Sequence, residues 1–250
     1  NLGWGATMLS YSSRPPDPLI VGKKWKKMWL ERLKNQPHLS DIWLKHQKRD
    51  KYWKHGSVCE DYSKLETPIL AIGGWGDAYK NAVPELVKNA KAKGIIGPWV
   101  HKYPHFAVPK PQIGFLQEAI RWWDRWLKGI DNGCETDPNY RVYVMKGEPP
   151  KSSYNFRDGY WIKEDRWPSQ ASKNKKLFLN SNNVLSLSNK KNKCPLGVID
   201  SPQHCGLKGG EYCAIWLGPE LPGDQRLDDA FSLCFDTCLL YTSDAADDTP

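Results

Sequence analysis

The chain has 250 residues, of which 40% are hydrophobic and 26% are charged, and its formal net charge is +8. This composition is typical of a soluble globular protein with one or two domains. No apolar run approaches the roughly 20 residues that a membrane-spanning helix needs, so the sequence predicts no transmembrane segment. The positive charge by itself does not indicate a nucleic-acid partner, because net charge affects solubility and encounter rates.

Two amphipathic helices are predicted between about residues 18 and 50. Asp17 and Pro18 supply a cap and a first turn for the first helix, and Ser40 is the predicted cap of the second. The apolar face of the first helix contains Val21, Trp25, Met28, Trp29 and Leu33. Because this face leaves the lysines of the basic run 23–27 on a solvated side, we predict no nucleic-acid binding there.

The most informative segment is a predicted strand, helix and strand. Residues 69–72 form an unbroken apolar run that is stopped by two glycines, as in a parallel strand covered on both faces, and Asp77 follows. Apolar residues then recur at helical spacing within 78–92, and residues 95–96 begin a second strand that leads to His101. Such a crossover brings both strand ends to one edge of the sheet. We therefore predict that Asp77 and His101 are neighbours in space.

This order of a carboxylate and an imidazole matches the last two members of an acyl-transfer triad on an α/β-hydrolase sheet. His101 is the predicted base, and Asp77 is predicted to fix its tautomer and to stabilise the imidazolium. A single carboxylate after a strand is often only a helix cap, and a single histidine is often structural. The catalytic prediction therefore depends on the pair.

Several motifs resemble those of the CocE/NonD acyl hydrolases, a family that includes cocaine esterase, glutaryl acylases and Xaa-Pro dipeptidyl-peptidases. The two strand ends carry Gly-Trp-Gly-Asp at 74–77 and Gly-Pro-Trp-Val-His at 97–101. Residues 119–129 are similar to the helix that follows the histidine in this family. Residues 140–145 and 228–237 look like two strands of its C-terminal jelly roll. The resemblance spans roughly residues 1–237 and implies a serine hydrolase.

The resemblance also implies a serine nucleophile in a Gly-x-Ser-x-x-Gly motif upstream of the carboxylate, and no serine before Asp77 lies in that pattern. We therefore expect the nucleophile and the oxyanion donors to lie upstream of residue 1. The chain is expected to be a fragment that is inactive by itself. Residues from Cys238 onward look like translated sequencing adapter and are expected to be a non-native tail.

The predicted fold class is α/β: the C-terminal part of an α/β-hydrolase fold with a helical cap, followed by a truncated β jelly roll. The predicted divisions are a post-nucleophile segment and cap at 1–61, the hydrolase core at 62–136, the incomplete jelly roll at 137–237 and the tail at 238–250. Short β-rich runs within the third division predict strands at Tyr140–Met145, Leu177–Leu179, Tyr212–Leu217 and Phe231–Phe235.

Tryptophans are concentrated in two helical regions. Those of the cap could line a substrate pocket, although packing within the cap is the favoured interpretation for each of them. They are Trp25, Trp29, Trp43 and Trp53. The helix after the histidine carries Phe115, Ala119, Trp122, Trp123 and Trp126, which are predicted to pack in the core.

The sequence predicts neither a metal nor a cofactor. The seven cysteines include no C-x-x-C pair, which argues against a structural zinc site. The six cysteines before the expected tail fit buried thiols in a reducing, cytoplasmic compartment better than a disulfide framework. His101 and His105 are four residues apart, but Pro104 between them predicts a loop rather than a helical metal-binding pair. A triad with an oxyanion hole needs no other group. His38, His46 and His55 are assigned no role.

Two functions remain open at this point. The first is a serine hydrolase that cleaves an ester or amide through an acyl-enzyme, with a small-molecule ester, an amide or a short peptide as substrate and no nucleic-acid or membrane partner. It includes Xaa-Pro dipeptidyl-peptidase activity, although no sequence element marks a site for a substrate amine. The alternative is a non-catalytic β-sandwich that binds a ligand or partner, joined to a pseudoenzyme α/β half. An upstream serine distinguishes the two.

Overall fold

The computed structural model describes residues 2–189, 197–215 and 218–237. The chain forms two compact units, Asn1–Lys64 and Leu65–Pro250. Cys194, the end of the predicted strand at 212–217 and the predicted tail 238–250 lie outside the described residues. The predicted domain boundaries stay predictions. None of the helices in the described part of the chain combines the length and the apolar character that a membrane crossing requires.

The first unit is helical. Its helices are α1 (Leu2–Ser12), α2 (Pro18–Val21), α3 (Trp25–Asn35), α4 (Leu39–Lys45) and α5 (Lys51–His55). Single 3₁₀ turns occupy Gly22–Lys24, Val58–Glu60 and Tyr62–Lys64. The predicted cap of the first helical segment is confirmed, since the Asp17 carboxylate accepts a hydrogen bond from the Leu19 amide at 2.8 Å.

The predicted cap at Ser40 is wrong, because α4 begins one residue earlier, at Leu39. Ser40 instead faces α1, where a side chain at Gly5 would meet its hydroxyl oxygen at 2.7 Å. This packing between helices is a long-range contact that a capping pattern does not contain.

The tryptophans of the first unit pack within that unit. The rings of Trp25 and Trp29 stack at 6.1 Å between centroids, and those of Trp43 and Trp53 lie 5.9 Å apart. The Trp29 indole also donates a hydrogen bond to the Ser13 carbonyl at 2.8 Å. These contacts agree with the favoured interpretation of these side chains.

The second unit contains a four-stranded sheet in the order β1-β2-β3-β4. Its strands are β1 (Ile69–Gly74), β2 (Ala92–Gly97), β3 (Tyr140–Met145) and β4 (Gly159–Glu164). Helix α6 (Ala82–Asn89) connects β1 to β2, and α7 (Phe115–Lys128) precedes β3. Strands β1, β2 and β3 are parallel, whereas β4 is antiparallel to β3. The predicted strand, helix and strand is thereby confirmed.

Strand β2 is the most deeply buried element of this sheet. Ile96 is fully buried on one face against Val83 and Tyr140, and Ile95 is buried on the other face with Trp99. Burial on both faces explains why the consecutive residues Ile95 and Ile96 are both apolar. It also gives the segment that leads to His101 a rigid base.

The region after β4 differs from the predicted strands. A small antiparallel pair, β5 (Phe178–Asn180) and β6 (Val184–Ser186), replaces the predicted strand at 177–179 with a shift of one residue. The described residues 212–215 and 231–235 form no strand. Moreover, the strand at 140–145 pairs with β2 of the four-stranded sheet rather than beginning a separate sandwich.

Local hydrogen bonds explain the missing strand at 231–235. The short helix α8 (Arg226–Asp229) ends just before it, and the amides of Phe231 and Ser232 donate to the carbonyls of Asp228 and Asp229 at 3.0 and 3.1 Å. These turn-like bonds use the amides that a sheet ladder would need. The apolar side chains predicted a strand here, but the backbone bonds continue the helical turn.

Candidate active site

Asp77 lies in a tight turn just after β1. The Trp75 amide donates to the Gly97 carbonyl, and the Gly76 amide donates to the Trp99 carbonyl, both at 2.9 Å. The Asp77 amide then donates back to the Gly74 carbonyl at 3.0 Å. The turn is therefore bonded to the end of β2 and to its own strand, which fixes the origin of the Asp77 side chain.

Glycine at position 74 is required by the close approach of two backbones. A Cβ atom at this position would lie 2.1 Å from the Trp99 carbonyl oxygen. Any side chain larger than hydrogen would force the end of β1 away from the segment that carries His101. The glycine thus has a structural role in bringing Asp77 next to the histidine.

His101 follows two buried residues that anchor it. Trp99 and Val100 are 1% and 5% exposed, and the Trp99 indole donates to the Pro111 carbonyl at 2.8 Å. The His101 amide donates to the carbonyl of Ala214 at 2.8 Å. The histidine backbone is therefore held in place, while its side chain remains 51% exposed.

The expected neighbourhood of the two side chains is confirmed. The Nδ1 atom of His101 lies 2.7 Å from Oδ2 of Asp77, and the Asp77 side chain is only 13% exposed. The other carboxylate oxygen accepts a hydrogen bond from the Tyr79 amide at 2.9 Å. With the Nδ1 proton directed at the carboxylate, Nε2 is left with its lone pair and can accept a proton. The arrangement is suited to general-base chemistry.

A pocket of about 720 Å³ opens beside this pair. Leu70 and Ile72 of β1 line it together with aromatic residues of the loop after His101 and of α7. The aromatic members are Trp99, Tyr103, Phe106, Phe115, Trp122 and Trp123. In the described part of the chain, no serine is among the residues that line this pocket.

The prediction that this face of α7 packs in the core is confirmed for Ala119 and wrong for Trp123 and Trp126. Ala119 is buried, but Trp123 is 56% exposed and contributes to the pocket wall. The polar face of α7 contacts the rest of the unit instead, where Glu118 accepts two hydrogen bonds from Arg141 at 2.7 and 2.9 Å. Because charged groups anchor the helix, its aromatic side is left to border the pocket.

His105 lies in a loop, as Pro104 predicted. Its ring stacks on Phe115 at 5.6 Å between centroids, so it supports an aromatic residue of the pocket wall. It does not pair with His101 in any group of metal-ligating side chains within the described residues.

Sequence reasoning missed one side chain of the site. This side chain is Cys213. Its sulfur, one carboxylate oxygen of Asp77 and one ring nitrogen of His101 all lie within 4.8 Å of one another. Cys213 is more than a hundred residues from either partner in the chain. No local pattern marks it, because its position depends on the bond between His101 and Ala214.

Two protein-family models match parts of the chain. Residues 1–103 match the model of the X-Pro dipeptidyl-peptidase (S15 family), and residues 132–237 match that of the X-Pro dipeptidyl-peptidase C-terminal non-catalytic domain. Each match covers about two fifths of the chain, and both are to X-Pro dipeptidyl-peptidase families. The expected resemblance is thereby confirmed.

Two crystal structures of a CocE/NonD family hydrolase from Staphylococcus aureus are similar to this chain at 16% sequence identity, with TM-scores of 0.42 and 0.43. The similarity covers 66% of this chain and 29% and 28% of the respective hydrolase chains. The chain thus spans less than a third of the length of that hydrolase. No curated protein sequence matches the chain.

The close approach at Gly74 gives a testable prediction. Gly74→Ala should lower the free energy of unfolding by about 1–3 kcal/mol, because the added methyl group overpacks a backbone contact. Urea denaturation followed by circular dichroism measures this change. Gly147→Ala is the matched control, since a Cβ atom there meets nothing within 4 Å, and it should change stability by less than about 1 kcal/mol. Equal stability of the two variants would contradict the structural role of Gly74.

Proposed function

We propose that this chain carries the histidine and the aspartate of a serine hydrolase that cleaves an ester or amide through an acyl-enzyme. The observation that supports it is the 2.7 Å contact between His101 Nδ1 and Asp77 Oδ2, at the ends of adjacent parallel strands and beside an apolar pocket. Both residues fall within the match to the S15 peptidase family. The order of aspartate and then histidine is also that of α/β-hydrolases.

In the proposed mechanism, the nucleophile is a serine upstream of residue 1. Nε2 of His101 takes the hydroxyl proton while the serine oxygen attacks the carbonyl carbon of the substrate. The imidazolium then gives that proton to the leaving group as its bond to the carbonyl carbon breaks. Water, deprotonated by the same nitrogen, hydrolyses the acyl-enzyme and restores the serine. Asp77 stays ionised throughout and stabilises the imidazolium.

The position of β1 is compatible with a nucleophile from elsewhere. Within the described residues, β1 is one of the two edge strands of the sheet, so one side of its backbone is available for another strand. If a parallel strand were added beside β1, a serine in the turn after that strand would lie at the carboxyl ends of the strands, as Asp77 and His101 do. The proposed oxyanion donors include the amide that follows this serine.

The pocket favours an uncharged or apolar substrate group over a free amine. Its lining is mainly aromatic and aliphatic, and its volume suits a small molecule. Among the described lining residues, Asp77 is the only carboxylate, and Lys102 places a positive charge nearby. An Xaa-Pro dipeptidyl-peptidase needs a group that receives the free amine of its substrate. That amine is positively charged, so the Lys102 ammonium would repel it. We therefore propose an acyl esterase or acylase in preference to a dipeptidyl-peptidase.

The aspartate is tested in a chain extended by its upstream coding sequence. Asp77→Asn should lower kcat for an activated ester by a factor of about 10⁴, because the asparagine side chain no longer holds the His101 imidazole in the required tautomer. The melting temperature should change little. Asp165→Asn, which alters an exposed aspartate outside the pocket, should leave kcat unchanged. A loss of less than tenfold in Asp77→Asn would remove this residue from the mechanism.

The histidine is tested separately, through covalent labelling rather than turnover. A fluorophosphonate probe should phosphonylate the proposed serine in the extended chain, with loss of fluoride, and His101→Ala should nearly abolish this reaction because no base remains to take the hydroxyl proton. His55→Ala, which changes an exposed histidine of the first unit, should label like the unaltered chain. Equal labelling of the His101→Ala variant would count decisively against His101 as the base.

A further inference from the structure

A thiol lies next to the proposed acid–base pair, and the mechanism does not use it. Asp77, His101 and Cys213 each offer one ligand atom, and these three atoms are all within 4.8 Å of one another. Together they supply a carboxylate oxygen, an imidazole nitrogen and a sulfur. Each of these atoms is of a type that binds zinc in proteins, and three protein ligands leave a fourth position open.

The position of Cys213 is fixed by its neighbours in the chain. The carbonyl of Ala214 accepts the His101 amide at 2.8 Å, and Ala214 is only 1% exposed. The Glu211 amide donates to the Glu220 carbonyl at 2.7 Å on the other side of the cysteine. The thiol is therefore held beside the pair by backbone contacts on both sides, rather than by an unrestrained loop.

The spacing of the three atoms is close to that of a metal site. Zinc–nitrogen bonds of about 2.0 Å and zinc–sulfur bonds of about 2.3 Å separate ligand atoms by roughly 3.3–3.5 Å in a tetrahedron. The observed limit of 4.8 Å exceeds these separations by about 1.3–1.5 Å, whereas the 2.7 Å between His101 Nδ1 and Asp77 Oδ2 is shorter than they are. The His101 side chain is 51% exposed, and the site proposed below requires its ring to rotate so that the three atoms reach these separations.

We propose that Asp77, His101 and Cys213 bind a divalent cation of the zinc class. Binding displaces the thiol proton and occupies an imidazole nitrogen, so the metal-bound histidine no longer acts as a base. The binding itself does not depend on the proposed function. The consequence, that zinc inhibits the hydrolase reversibly, does rest on it.

The binding is tested with Co²⁺ as a spectroscopic probe on the reduced 250-residue chain. One Co²⁺ per chain should give a thiolate-to-cobalt charge-transfer absorption, and Zn²⁺ should displace it. Cys213→Ser should abolish the absorption, and His101→Ala should weaken cobalt binding at least about tenfold. Cys59→Ser and Cys234→Ser, which change exposed cysteines outside the group, should retain it.

Several results would overturn the site. They are an absorption that persists in Cys213→Ser, one that is lost in Cys59→Ser or Cys234→Ser, or no thiolate band at millimolar Co²⁺. Because Cys213→Ser could disturb folding, its melting curve without metal is compared with that of the unaltered chain. Cys213→Ala serves as a second variant. A thiolate-to-cobalt band in either Cys213 variant would contradict ligation by the Cys213 sulfur.

Inhibition is measured independently in the extended chain. Zn²⁺ should reduce the rate of ester hydrolysis, and a chelator should restore it. In Cys213→Ser, Zn²⁺ should inhibit less, so the ratio of the rates with and without Zn²⁺ should move toward one. A cobalt band without any ester hydrolysis would support the metal site and refute the proposed function. Hydrolysis without a cobalt band would support the function and refute the metal site.

Discussion

The contact between the end of β1 and the segment after β2 is the constraint on which the candidate site depends. At Gly74 the two backbones come so close that a Cβ atom would lie 2.1 Å from the Trp99 carbonyl oxygen. This approach allows Gly76 to bond Trp99, and it places Asp77 at hydrogen-bonding distance from His101. The carboxylate and the imidazole are thus positioned by backbone contacts rather than by flexible side chains, as a proton-transfer pair requires.

The buried residues around this contact hold the backbone in place, and the exposed ones face the pocket. Ile96 and Trp99 are almost completely buried and hold β2 and the following segment in place, whereas the His101 side chain is half exposed and faces the pocket. The ion pair between Glu118 and Arg141 holds α7 to β3, which leaves aromatic side chains of α7 to form a wall of that pocket. A rigid base and an accessible imidazole are what a general base needs in order to reach a substrate.

The sequence predicted those features that depend on neighbouring residues in the chain. The apolar run 69–72, the glycines that follow it and the helical spacing within 78–92 were sufficient to place Asp77 beside His101. Features that depend on distant contacts were missed or wrong. Ser40 packs on Gly5 instead of capping a helix, and Cys213 reaches the site only through the bond between His101 and Ala214. Apolar composition alone also did not distinguish a core face of α7 from a pocket wall.

The central claim is that Asp77 and His101 serve a serine that lies upstream of this chain. Reading the source DNA upstream of the codon for Asn1 tests it most directly. The account predicts a Gly-x-Ser-x-x-Gly motif after an apolar strand in the same reading frame, which would complete the triad in the order of an α/β-hydrolase. A full upstream reading frame without such a serine would contradict it, because the pair would then have no nucleophile to activate.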